Sequence, residues 1–63
     1  MITMTNCTSS TDGHILELAG KSTDTKPTET FNGFTIGNGS TFTEMNTTKV
    51  FMFDGEAHEW LEL

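Results

Sequence analysis

This 63-residue chain has one cysteine, no arginine and no long apolar run, and each shortage removes a class of answers. With Cys7 alone, no intrachain disulfide can form. Three lysines against nine acidic residues leave a net charge of −6. That balance repels phosphate backbones, and the guanidinium forks that usually grip them are missing. No nucleic-acid partner is expected. No apolar stretch nears the ~18 residues that span a bilayer, so no membrane contact is expected either. The opening "MITMTNCTSS" lacks the cationic and apolar regions of a signal peptide. The expectation is a soluble protein without a recognisable export signal.

A chain of this length permits one domain and buries only ~60% of the surface its unfolded form exposes. Small folds offset so thin a core with disulfides, a metal or association. With the disulfide excluded, association with other chains is the expected route. Leu, Ile, Val and Phe make 13 of the 63 residues, just above the ~20% under which highly charged chains stay disordered. Thr (13) and Ser (4) exceed a quarter of the chain, and the β-branch of Thr favours a pleated, half-buried surface. The class expected is all-β: a small antiparallel sheet made of a C-terminal three-stranded meander, one or two N-terminal strands and an extended central arm.

Three segments divide the chain. In residues 1–20, "GHILELAG" sets Ile15, Leu16 and Leu18 between glycines, a length suited to a strand. "MITM" alternates apolar and polar and would pair with it across a polar "TNCTSSTDG" turn region. Residues 21–40 form the arm: "KSTDTKPTET" has no apolar side chain but the ring of Pro27, which biases Lys26 towards extended backbone. Phe31, Phe34 and Ile36 then return among glycines and ask for a surface to sit on. In residues 41–63, "TFTEM", "KVFMFD" and "EWLEL" have the spacing of a β-meander.

Loop length sets register. Three-residue loops at 46–48 and 55–57 would place Phe42, Met52 and Trp60 in one cross-strand row and turn Phe51, Phe53 and Leu61 to the opposite face. Both faces would then be apolar and need covers, one of them from a second copy or another protein. A four-residue second loop would shift this register.

Few residues suggest chemistry. Cys7 with His14 or His58 could supply a thiolate and its base, but no orienting acid marks a site and the chain is too short to enclose a substrate. Asp54, Glu56, His58 and Glu59 crowd four donors into one turn, at spacings that match no EF-hand or zinc pattern. No catalytic residue, metal or cofactor is therefore expected. Asn6-Cys7-Thr8, Asn38-Gly39-Ser40 and Asn46-Thr47-Thr48 fit the glycosylation acceptor rule, as chance allows in a chain so rich in Thr and Ser. The glycines of "NGFTIGNGS" precede no lysine or helix and are turn glycines. Phe42, Phe51, Phe53 and Trp60 could stack on bases, but without positive charge around them a core or interface role is the better reading.

The run Ser22-Thr23-Asp24-Thr25-Lys26-Pro27-Thr28, followed by Gly39-Ser40-Thr41-Phe42, Glu44-Met45, Lys49-Val50-Phe51, Phe53-Asp54 and Trp60, resembles small accessory proteins encoded by tailed bacteriophages and prophages. In those proteins a "STDTKP" segment leads into a "GSTF-E-DTGK-Y-FD-W" meander. The similarity covers about two-thirds of the chain. It departs at Thr48, where the family's turn usually has glycine, and in Glu29 to Asn38, which is longer than the usual link and suits a docking arm. The resemblance implies a structural protein of the virion, made in the host cytoplasm: a head decoration or cement protein, or a fibre or tail component. Its implied partners are capsid or tail subunits and further copies of itself, and it carries over no catalytic residues. The residues expected at interface or core are Phe42, Val50, Phe51, Phe53, Trp60 and Leu61 in the meander and Phe31, Phe34 and Ile36 in the arm. The rival expectation is a small acidic module that binds and inhibits a host protein.

Overall fold

In the computed structural model, which describes residues 1–63, every regular element is a strand. β1 (Thr3–Ser10) and β2 (Gly13–Gly20) form an antiparallel hairpin closed by Thr11 and Asp12. The stretch expected as a turn region is thus mostly strand, because the "TNCTSS" side chains pair residue by residue with β2, apart from a bulge between Met4 and Asn6. β3 (Thr30–Phe31) and β4 (Phe34–Thr35) make a second, minimal hairpin. Its turn residues Asn32 and Gly33 both have positive φ, 51° and 83°, the type I′ geometry that Asn-Gly favours. β5 (Thr41–Glu44), β6 (Val50–Asp54) and β7 (Glu59–Glu62) are the expected meander.

The main sheet runs β1-β2-β5-β6-β7 and is mixed, not wholly antiparallel: β2 and β5 are parallel, with Leu18 beside Phe42. Parallel neighbours need a long crossover, and residues 21–40 supply it. This segment is not the extended arm expected from its polarity. It folds back over the sheet as a strap, with Ile36 buried beside His14 and the Gly37 N–H donating to His14 O at 2.7 Å. Phe31, Phe34 and Ile36 find their surface on the chain's own core.

Both meander loops hold four residues, which shifts the expected register by one. Thr48 N–H donates to Glu44 O at 2.8 Å and Glu44 N–H to Lys49 O at 2.8 Å, closing residues 45–48, with Thr48 at a φ of 61°. In the second loop Asp54 Oδ1 accepts from the Glu56 and Ala57 N–H groups at 3.0 and 3.3 Å, and His58 has a φ of 54°. Phe42 therefore faces Phe51, and Trp60 faces Phe53. A one-residue slip moves a whole side-chain set to the other face. Phe51 and Phe53 accordingly join Phe42 and Trp60 instead of opposing them, and the sheet has one strongly apolar face instead of two.

That face is the core. Leu16, Leu18, Phe42 and Phe53 are buried on it, and Ile36 of the strap completes the cluster. Ile2, Met4, Cys7, Phe31, Phe34, Phe51 and Trp60 are packed around it, each partly exposed. Trp60 meets Phe53 at 5.0 Å and Phe42 edge-on at 6.0 Å between ring centroids.

Candidate functional site

The strap and the meander divide the molecule into a closed face and an open one, and the polar contacts explain why the closed face stays closed. Lys26 Nζ sits 2.6 Å from Glu44 Oε2, and their side chains are only 18% and 7% exposed. The same ammonium lies 4.3 Å from the Phe51 ring centre and 4.9 Å from that of Phe42, so the ring faces help to solvate it. Thr47 Oγ1 donates to the other Glu44 oxygen at 2.7 Å. These two donors, Lys26 first, hold the Glu44 carboxyl below its ordinary value of 4.5 against the opposing effect of burial.

Further along the strap, Trp60 Nε1–H donates to Pro27 O at 2.8 Å, and His58 Nδ1 lies 3.4 Å from Thr28 O. At the far end Asp12 accepts from the Asn38 N–H at 3.0 Å and the Ser10 hydroxyl at 2.9 Å. The Asn38 N–H, then Ser10, keeps its carboxyl low as well. Asn38 Oδ1 in turn accepts from the Gly55 N–H at 2.8 Å. Buried Ser40 satisfies itself by accepting from Leu16 N–H at 3.0 Å and donating to Gly37 O at 2.8 Å.

The open face carries the alternate residues of the same strands. Thr41 faces Met52, which faces Leu61; Thr43 faces Val50. Met52 is 40% and Leu61 48% exposed, side by side. Leu63 N–H donates to Val50 O at 2.9 Å, continuing the ladder one pair further. Ile15 and Glu17 of β2 are also exposed here. Of the residues expected at an interface, Val50 and Leu61 lie on this face; Phe31, Phe34, Ile36, Phe42, Phe51, Phe53 and Trp60 all lie on the closed one. The expected row of Phe42, Met52 and Trp60 does not form: Met52 stands between Thr41 and Leu61, on the face opposite Phe42 and Trp60.

The candidate chemical groups are held in other ways. Cys7 is half-buried opposite Leu16. His14 packs edge-on against Phe34 at 4.9 Å, and its buried Nδ1 has no hydrogen-bond partner. His58 lies against Phe53, 6.2 Å between centroids. Asp54, Glu56, His58 and Glu59 are not gathered into a metal-binding group. The side-chain amides of Asn6, Asn38 and Asn46 are each engaged, with Glu17, Gly55 and Ser22 respectively.

Comparison with known protein families, curated proteins and solved structures finds no match. Lys26, Pro27, Ser40, Phe42, Glu44 and Trp60 all make contacts that bind strap to sheet.

Proposed function

We propose that this chain is a non-enzymatic structural protein of a tailed-phage particle, a head decoration or cement protein or a component of fibre or tail, acting through protein–protein contacts. The observation that carries the docking part is the pairing of Met52 with Leu61 on the open face. The strap covers the other face with the chain's own side chains; nothing in the chain covers this one. Apolar area buried there contributes ~25 cal/mol per Å², and repetition over many copies lets modest contacts reinforce a shell. The virion placement is supported by the "STDTKP" and meander motifs. In this reading copies of the chain meet along edge strand β1, whose eight residues carry no charge and so lack a common guard against strand addition.

Quantitative mass spectrometry of purified particles tests the proposal by counting this chain against the major capsid protein. Hundreds of copies mean decoration of the head, and a few to a few dozen mean tail, neck or fibre. Absence sinks the virion reading. The second reading, an acidic module that inhibits a host protein, is favoured by one feature: Asp54 and Glu59 stand opposite one another at the edge of the open face. It would be promoted by absence from particles.

A further inference from the structure

The four-residue second loop sets Asp54 directly across from Glu59, and like charges at directly opposed positions destabilise a sheet. None of the three lysines relieves them. Lys26 is held in the pair with Glu44, Lys49 is drawn towards Glu62 at 4.0 Å, and Lys21 follows the other end of β2. Along the same two strands and on the same face come Met52 beside Leu61, then Val50 with Leu63 next to it. An exposed apolar block thus ends in a pair of carboxylates that no lysine offsets, one oxygen of Asp54 being taken up by the Glu56 and Ala57 N–H groups.

Resting on the docking reading above, we propose that this corner of β6 and β7 binds a protein surface whose apolar side chains are bordered by arginine or lysine. The partner's cation would bridge Asp54 and Glu59. Two sign patterns argue for such an occupant over a second copy. A copy of this chain brings its own −6 charge, and none of its strands carries a lysine to offer. A basic border instead removes the carboxylate repulsion on binding, and complementary charge fixes register and rejects wrong partners. The block's small size fits a contact that is repeated many times rather than one that is tight singly.

The test titrates isotope-labelled full-length chain with two soluble peptides of equal apolar content, one bordered by arginines and the other by glutamates. The arginine peptide is expected to bind on the order of tenfold more tightly and to shift the amides of Val50, Met52 and Leu61. The doubly substituted Asp54→Asn, Glu59→Gln chain should keep its thermal midpoint or gain slightly and lose that preference. The inference is overturned if neither peptide binds, if both bind alike, if the shifts map to the strap, or if the chain dimerises through this corner. Particle counting is independent of these outcomes. High copy number with indifferent peptides overturns the inference alone, and charge-selective binding without copies in particles overturns the virion reading alone.

Discussion

Lys26 of the strap and Glu44 of β5 form an ion pair at 2.6 Å that is sheltered from water by the rings of Phe42 and Phe51. Removing one member of such a pair leaves the other charge poorly solvated, which costs more than the pair itself contributes. Lys26→Met should therefore lower the thermal midpoint clearly more than Lys49→Met, whose partner Glu62 lies 4.0 Å away at an exposed site. Equal effects in circular-dichroism melts would show that the strap is held by its apolar side chains alone.

Acid should loosen the same fastening. The Glu44 carboxyl is held low in the fold by Lys26 and Thr47, and that of Asp12 by Asn38 and Ser10. A carboxyl with a depressed folded-state pKa contributes stability that is present above its unfolded value and lost as pH falls through the folded one. The thermal midpoint is expected to fall as pH drops below the ordinary values of 4.5 and 3.8. Glu44→Gln should be less stable at neutral pH and show a shallower acid dependence. A midpoint rising towards acid would contradict this assignment.

Thr48 closes the first meander loop at a φ of 61°, where a β-branched side chain is strained and glycine is not. Thr48→Gly is expected to stabilise by about 1 kcal/mol, which in a domain of this size raises the midpoint by roughly 4–8 °C. No rise on calorimetry would mean that the loop relaxes without strain.

Trp60 joins sheet to strap through Pro27 O and packs on Phe42 and Phe53. Trp60→Phe removes the hydrogen bond and part of the ring packing and should cost more than the ~1 kcal/mol of the bond alone, whereas Trp60→Ala should abolish cooperative unfolding. A sharp thermal transition in Trp60→Ala would place the core elsewhere.

Phe42 and Leu61 separate stability from docking. Phe42 is fully buried, and Phe42→Ala should cost about 3–5 kcal/mol, a large part of the roughly 3–9 kcal/mol that 63 residues hold. Leu61→Ser, on the open face, should change stability by no more than about 0.5 kcal/mol and, on the virion role proposed above, should reduce incorporation into particles. Unfolded Leu61→Ser protein would show that the open face supports the fold itself.

Much of the fold was legible because its signals are local. "GHILELAG" has strand length between glycines, and the apolar alternation of "KVFMFD" and "EWLEL" marks strands whatever they pair with. Asn32-Gly33 between Phe31 and Phe34 is a hairpin signal too, but strands of two residues each are too short to show alternation. The open-face site was less readable. Val50 and Leu61 were named, but the neighbourhood of Met52, Asp54 and Glu59 depends on whether a loop holds three residues or four.

By itself, the sequence determined the β class, four of the five main strands and which side chains alternate together, since these follow from composition and a period of two. Tertiary structure decided the parallel pairing of β2 with β5, the register, and which face is closed. The physical reason is that residues 21–40 look too polar for a core until Lys26 finds Glu44 and Pro27 O finds Trp60. Those partners lie 18 and 33 residues away along the chain, and only folding brings them together.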